Sequence, residues 1–373
     1  MKFTVSSSLL SSRLQAISRI INPKSINPIL QDFLLKTEGN LLTVTAADND
    51  NTLETSVELA ESDGDSQIAL PAKTMLDALK EIPDQPLTFQ IDDITHETAV
   101  NYLNGQYVMM GHDADEYPAP TVLAQDAATH TIPANVLTAG LSRCIFAAAD
   151  DELRPVMNGV YIDFDTESLA FVASDGHKLV CDRNSSYKSA ERASVILPKR
   201  PAALVKSLAG NEGDVTISFD NRCAMLSMAD YRMICRLIEG RYPNYNSVIP
   251  ANNPHKLLID RATLISGLKR VSVFSPASSG LIRLRIKDNQ LTISAQDLDF
   301  STSATETMNC EYDGAPMSIG FKAGFLIDIL NNMPGQEIIF KLADPSRAGV
   351  VVPSEQDEND DLLMLLMPMV LND

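Results

Sequence analysis

Leu41-Leu42-Thr43-Val44-Thr45-Ala46-Ala47-Asp48 has two counterparts further along the chain, Leu169-Ala170-Phe171-Val172-Ala173-Ser174-Asp175 and Leu291-Thr292-Ile293-Ser294-Ala295-Gln296-Asp297. Each is an apolar, β-prone run closed by an aspartate. Asp48 and Asp175 lie 127 residues apart, and Asp175 and Asp297 lie 122 apart. This period far exceeds the roughly 20–50 residues of a solenoid repeat and reads as duplication of a whole domain.

The flanking segments repeat in step. The first copy continues with Gln67-Ile68-Ala69-Leu70-Pro71, a helical stretch from Lys73 to Ile82, and Leu87-Thr88-Phe89-Gln90-Ile91. The second has Ser194-Val195-Ile196-Leu197-Pro198, Lys199 to Ala209, and a strand from Asp214 to Phe219; the third has Met317 to Phe321, Lys322 to Met333, and Glu337 to Leu342. Pro83-Asp84, Gly210-Asn211 and Pro334-Gly335 close the three helices. An earlier helix opens each copy. Leu10, Leu14, Ile17 and Ile21 mark one helical face in the first, with Pro133 to Ala149 and Asp260 to Ser275 as counterparts. The pattern predicts an α+β chain of three similar domains, 1–123, 124–251 and 252–373, each with two helices packed on antiparallel sheets. The apolar run Leu362 to Leu371 is expected to be a buried last strand, being too short to span a bilayer.

The 373 residues are 45% hydrophobic and 21% charged, which excludes a disordered chain. Thirty Lys and Arg stand against 49 Asp and Glu, for a net charge of −19. The charge is segregated. The six helical windows 6–24, 71–83, 133–149, 198–210, 260–275 and 322–335 hold thirteen Lys and Arg against four acids, a surplus of nine, so the remainder carries −28. Glu favours helices as much as Lys does, so propensity does not explain its scarcity there. One basic helical face on an acidic body suits a polyanion held on that face and repelled elsewhere. Five scattered cysteines and a start with no apolar leader fit a reduced, cytoplasmic protein.

Catalytic motifs are missing. No phosphate loop, dinucleotide fingerprint, nucleophile elbow or zinc-protease signature occurs, and the five histidines are not spaced as metal ligands. Asp175-Gly176-His177 is the one triplet open to an acid–base reading, as in a hydrolase or transferase. A peptide-binding scaffold with no DNA role is a further alternative. No cofactor or metal is expected.

Asp175-Gly176-His177-Lys178-Leu179, Glu239-Gly240-Arg241-Tyr242-Pro243-Asn244-Tyr245 and Met367-Pro368-Met369-Val370-Leu371 resemble the bacterial DNA polymerase III beta subunit, the sliding-clamp family. Met1-Lys2-Phe3-Thr4-Val5 and Pro28-Ile29-Leu30 fit the same family, so the resemblance spans the chain. It implies a head-to-tail homodimer closing into a ring of six domains. Helices line the hole around duplex DNA, which is held without regard to sequence, and the ring tethers the replicative polymerase as a non-catalytic processivity subunit.

The resemblance also implies particular residues. The partner-peptide pocket, which receives a short motif from polymerases and the clamp loader, corresponds to Met157, Ser174, Gly176, His177, Lys178, Leu179, Pro243, Val248, Leu365, Leu366, Met367, Pro368, Met369 and Leu371. Methionines suit a surface that accepts several related partners, although core packing is the plainer reading of Met364, Met367 and Met369. Ser247 stands where some members carry arginine. DNA contacts correspond to Lys24, Lys73, Lys199, Arg200 and Lys322. Ala149, Pro155 and Val156 depart from the family's polar or aromatic contacts, and nearby Arg154 is a candidate substitute. The dimer surfaces correspond to Tyr107-Val108-Met109 and Val273-Phe274.

Overall fold

The structure, a computed structural model, describes Met1–Leu371. The first copy of the repeat runs β1 (Lys2–Ser6), α1 (Ser7–Ile17), β2 (Asp32–Glu38), β3 (Leu41–Ala47), β4 (Asn51–Glu58), β5 (Glu61–Ser62), β6 (Ser66–Pro71), α2 (Ala72–Lys80), β7 (Pro86–Ile91), β8 (Glu97–Tyr102) and β9 (Gly105–Met110). The second runs β10 (Ala128–Pro133), α3 (Ala134–Cys144), β11 (Gly159–Phe164), β12 (Leu169–Ser174), β13 (Lys178–Asn184), β14 (Ala193–Pro198), α4 (Lys199–Leu208), β15 (Asp214–Phe219), β16 (Cys223–Ser227) and β17 (Tyr231–Arg236). The third runs β18 (His255–Asp260), α5 (Arg261–Ser272), β19 (Leu281–Lys287), β20 (Gln290–Asp297), β21 (Thr302–Asn309), β22 (Glu311–Tyr312), β23 (Met317–Lys322), α6 (Ala323–Asn332), β24 (Glu337–Leu342), β25 (Gly349–Pro353) and β26 (Asp360–Leu366). Setting aside the two-residue strands β5 and β22, the three orders match element for element, as the repeat predicts.

The chain forms two compact units. One comprises Met1–Thr138 with Leu204–Leu237 and holds a five-stranded sheet, β5-β1-β7-β8-β9, and an eight-stranded sheet, β10-β15-β16-β17-β4-β3-β2-β6. In the longer sheet, strands of the first two copies join where β17 pairs antiparallel with β4, from Tyr231↔Thr55 to Cys235↔Asn51. Around that seam Arg232 Nε donates to Glu54 Oε2 at 2.7 Å, and Thr55 Oγ1 donates to the Asp230 carbonyl at 2.9 Å.

The other unit comprises Ala139–Ala203 and the chain from Ile238 onward. Its nine-stranded sheet is β14-β11-β12-β13-β26-β25-β24-β18-β22, and its four-stranded sheet is β21-β20-β19-β23. Here β13 pairs antiparallel with β26, from Lys178↔Leu366 to Asn184↔Asp360. Arg143 of α3 bridges the two strands. Its Nη1 lies 3.0 Å from Asp182 Oδ1 on β13 and 2.9 Å from Asp360 Oδ2 on β26.

Local chemistry explains the helices. Asp260 caps α5, its carboxylate accepting from the Thr263 N–H at 2.7 Å. Gly140 of α3 is needed for contact, because a Cβ there would sit 2.2 Å from Phe171 on β12. The first helix corrects the expected face. Leu10, Leu14, Ile17 and Ile20 are buried, not Ile21, because α1 tightens after Ile17 into a 3-10 turn over Ser18–Ile20. Three residues per turn carries the face from Ile17 to Ile20. The last strand is also shorter than expected. It ends at Leu366, and Pro368, which has no N–H, interrupts further pairing. Among the described residues no helix is long and apolar enough to cross a membrane.

Candidate functional site

The second aspartate of the repeat shapes a turn. Between β12 and β13, Asp175 Oδ1 accepts from the backbone N–H groups of His177 at 2.8 Å and Lys178 at 2.9 Å, and Lys178 Nζ reaches Asp175 Oδ2 at 2.5 Å. Ser174 Oγ donates to the Lys178 carbonyl at 2.8 Å. Gly176 sits at φ +89°, a conformation that favours glycine, while the Arg154 guanidinium that a Cβ there would meet at 2.7 Å is the end of a flexible side chain. Burial pushes the Asp175 carboxyl up, but the Lys178 ammonium and the two N–H groups outweigh it and hold the group below the usual range. The acid–base reading fails at this point: the Asp175 carboxylate is committed to its own turn.

This turn forms one end of a groove of about 240 Å³. Met157, Ser174, Gly176, His177, Lys178 and Leu179 line it from the central part of the chain, and Pro243 and Val248 from the segment after β17. Leu365 and Met367 close it from the C-terminal strand. Leu179 and Leu365 are direct cross-strand partners, which is why residues so distant in sequence meet. The Met367 N–H donates to the His177 carbonyl at 2.9 Å, and the Met367 side chain is 45% exposed beside the buried Leu365.

Four expected residues take other positions. Leu366 alternates to the opposite face of β26 and is fully buried there, and Pro368 lies outside the lining. Met369 bridges to Gly320 on β23, and Leu371 reaches the same glycine. Three lining residues were not expected: Tyr242, Asn244 and Tyr245. Tyr242 stacks on Tyr161 at 4.8 Å with an 11° tilt, and Tyr245 packs on Tyr161 at 6.1 Å. The Tyr245 hydroxyl, pushed up to about 12 by burial, donates to Asp163 Oδ2 at 3.3 Å. An aromatic pair within Tyr242-Pro243-Asn244-Tyr245 was a usable signal, since buried tyrosines commonly build a floor. Ser247 donates to the Asn244 carbonyl at 2.6 Å and so secures its own turn.

The cations divide into two kinds. Arg13 is tied to Asp230 at 2.7 Å and lies over the Tyr231 ring, and Arg143 is tied to Asp182 and Asp360. Arg261 donates to the carbonyls of Gly335 and Leu330, while Arg270 pairs with Glu306. Arg13, Arg143 and Arg261 hold the fold together, whereas Arg270 stays exposed beside Glu306, so the positive surplus presented outward is smaller than the sequence count. Lys24, Lys73 and Arg200 are exposed. Lys73 pairs with Asp77 at 2.6 Å, and the half-buried Lys199 pairs with Asp150 at 2.6 Å. Exposed pairs of this kind are worth about 0–1 kcal/mol and yield readily to a phosphate. Lys322 differs: its ammonium lies 4.7 Å from the Phe325 ring, on which His177 also stacks and Lys178 rests at 4.5 Å. Arg154 donates to Asp151 Oδ2 at 2.8 Å and to the Asp175 carbonyl at 3.2 Å, buttressing the groove turn.

At the sheet edges, β9 turns Met109 inward and Val108 and Met110 outward, with Tyr107 half-buried against Tyr102. Val273 and Phe274 follow α5 and are exposed. Leu298 and Phe300, between β20 and the edge strand β21, are each 77% exposed and were not expected from the sequence. Among the described residues no cluster of His, Cys, Asp or Glu has the makings of a metal site.

Comparison with known proteins matches three family models in order: the DNA polymerase III beta subunit N-terminal domain over residues 1–121, the central domain over 131–244 and the C-terminal domain over 246–370. The beta sliding clamp of Synechocystis sp. is 29% identical over 95% of this chain and 96% of its own length. That of Pseudomonas putida is 25% identical over the whole of both. A crystal structure of the sliding clamp from Pseudomonas aeruginosa superposes with a TM-score of 0.93 at 25% identity, covering both chains completely. With its strand and helix order repeated three times and all three domain types matched in sequence, the chain belongs to the DNA polymerase III beta-subunit family, the beta sliding clamps.

Proposed function

We propose that two copies of this chain close head to tail into a ring around duplex DNA, with the three domains bounded at 1–123, 124–251 and 252–373. The ring serves as the non-catalytic sliding clamp of a DNA polymerase III. One observation carries the closure. The fourth strand of the first copy, β4, pairs with the last strand of the second, β17; likewise β13, the fourth of the second, pairs with β26, the last of the third. The same joint is open at both ends of the series, leaving β21 and β9 as sheet edges. A second copy offering β9 to β21 repeats the joint, covers the apolar residues Val108, Met110, Leu298 and Phe300, and removes two edges that otherwise invite aggregation. Tyr107, Met109, Val273 and Phe274 belong to the same interface.

Duplex DNA is then held by Lys24, Lys73, Lys199, Arg200 and Lys322 through sequence-independent, salt-sensitive contacts, while the acidic remainder keeps it off other surfaces. The groove beside Asp175 receives short segments of the replicative polymerase and the clamp loader. It suits apolar side chains because Met157, Leu179, Leu365, Tyr242 and Val248 dominate its wall, and Met367 adjusts to fit. The protein acts in the cytoplasm, where replication takes place and thiols such as those of its five cysteines stay reduced.

The test pairs sedimentation with primer extension on a long single-stranded circle. The protein is expected to be a dimer at micromolar concentration in physiological salt and to lengthen polymerase products. Lys24→Glu with Arg200→Glu is expected to remove most of that gain while leaving the dimer intact. A monomer under those conditions overturns the ring; unchanged stimulation by the double variant favours a peptide-binding scaffold instead.

A further inference from the structure

The two joints inside the chain share one register, which can be counted from the helices. The third residue before the second helix of each copy is Ala69, Ile196 or Gly320, and these pair with Leu34, Tyr161 and Arg283. The next ladders lead to Thr45, Val172 and Ser294, and then to Glu54, Cys181 and Thr305 on the fourth strands. The last strands are reached from the first helices. The fourth residue before each is Phe3, His130 or Leu257, and three successive ladders lead from these to Tyr107, Met233 and Met364. Met233 pairs with Leu53, the residue before Glu54, and Met364 pairs with Val180, the residue before Cys181. The third copy keeps the same count in its side chains. Arg143 and Arg270 are each the tenth residue of their helix, and they bind Asp182 and Glu306, which follow Cys181 and Thr305.

Two further features recur at the internal joints. Three residues beyond Met233 and Met364, the Arg236 N–H donates to the Asp50 carbonyl at 3.0 Å and the Met367 N–H to the His177 carbonyl at 2.9 Å. An ion pair also crosses each joint: Arg232 with its direct partner Glu54 in the first, and Arg143 with Asp360 in the second. By the same count, the places of Arg232 and Glu54 fall on Gln106 and Thr305 at the free edges. The place of Asp360, four residues before Met364, falls on Leu103 in the turn before β9.

We infer that the joint between two copies repeats this register, with Tyr107 opposite the partner's Ala304, Val108 opposite the partner's Ser303 and Gln106 opposite the partner's Thr305, and that it closes without the ion pairs found at these places inside the chain. This rests on the ring reading above and fixes the atoms at which the ring closes. The Met110 N–H donates to the partner's Ser301 carbonyl, as Arg236 and Met367 do at their joints. The division has a use. The internal joints stay shut for the life of the fold, whereas a ring admits duplex DNA by parting a joint between copies. The backbone ladder and the apolar side chains around Tyr107 and Met109 hold that joint, so opening it breaks neither ion pair.

The test is disulfide trapping in the full chain, read as covalent dimer on non-reducing gels against the single-cysteine variants. Ladder partners lie about 4.5–5.5 Å apart at Cα, within reach of a disulfide, whereas residues two places out of step lie roughly 7–8 Å apart. Val108→Cys with Ser303→Cys is expected to cross-link about tenfold faster than Gln106→Cys with Ser303→Cys or Met110→Cys with Ser303→Cys. Met110→Cys with Ser301→Cys reads the same register should the first pair fail to fold. Faster reaction of an out-of-step pair, or no cross-link by any pair in a chain that sediments as a dimer, overturns the register while the ring stands. A wild-type monomer overturns the ring reading and the register with it. The missing ion pair is tested by transplanting it. In a chain carrying Thr305→Glu, Gln106→Arg is expected to lower the dimer dissociation constant about two- to fivefold at 50 mM salt, with the gain shrinking at 300 mM. No gain over Thr305→Glu alone overturns the pairing of those two positions.

Discussion

Leu179 and Leu365 face each other directly across β13 and β26, although 186 residues separate them in the chain. Through this pair the apolar wall of the groove depends on a sheet joint between two copies of an internal repeat. Two residues beyond Leu365, the Met367 N–H closes on the His177 carbonyl at 2.9 Å. The groove is therefore built from the same joint that lengthens the sheet.

Truncation after Leu366 removes Met367 and its bond to His177 but leaves the β13–β26 ladder, which ends at Leu366. Calorimetry with a Gln-Leu-Ala-Leu-Phe peptide is expected to show micromolar binding to the full chain and none to the truncated one. Circular dichroism is expected to show little change in secondary structure.

Asp175→Asn removes a carboxylate that holds two backbone N–H groups and the Lys178 ammonium. Charged hydrogen bonds are worth about 1.5–3 kcal/mol, so a loss of about that size is expected in urea unfolding at pH 7. Its pKa is depressed in the folded state. The stabilisation is thus fully present above the ordinary carboxylate value of about 4 and fades as pH falls through the lowered one. The gap between wild type and variant should close in acid.

Asp182 behaves in the opposite sense. Burial pushes its carboxyl up to about 6, with Arg143 opposing the rise. Between about pH 4 and 6 the folded state keeps a proton that the unfolded chain has released, so this group makes stability fall as pH rises through that window. Asp182→Asn is expected to flatten that part of the stability profile, with urea midpoints measured from pH 4 to 7.

Arg143→Met strands two carboxylates, Asp182 and Asp360, on adjacent strands. Breaking a buried ion pair from one side costs about 3–5 kcal/mol, and a loss in that range is expected in denaturant unfolding. Replacing Asp182 with Asn in the same chain is expected to recover part of it, because one uncompensated charge is removed.

Val108→Asp with Met110→Asp places carboxylates on the outward side of β9. Sedimentation at micromolar concentration is expected to show a monomer. Peptide affinity is expected to stay unchanged, because β9 belongs to the compact unit of Met1–Thr138 and the groove residues to the other.

Local pattern carried much of this protein into view. The spacing of apolar residues determined which segments are helices and strands, because a side chain's face follows directly from a period of 3.6 or 2. The three aspartate-closed runs determined the repeat, and Asp175 with Gly176 determined a tight turn, since their chemistry acts within a few residues. The family resemblance named most of the groove wall. Where local geometry shifted, the reading slipped: a 3-10 turn exchanged Ile21 for Ile20, and Pro368 ended a strand early.

Tertiary structure alone decided the rest. That β4 joins β17 and β13 joins β26 is invisible to periodicity, because any strand edge offers the same N–H and C=O groups and the partner is chosen by long-range packing. The same holds for charge. Counting placed Arg13 and Arg143 among the outward cations, yet Asp230, Asp182 and Asp360 hold them. The tyrosine floor likewise needed Tyr161, about eighty residues earlier, to bring Tyr242 and Tyr245 together. Sequence specifies what each segment can bury, and only the folded chain specifies against what.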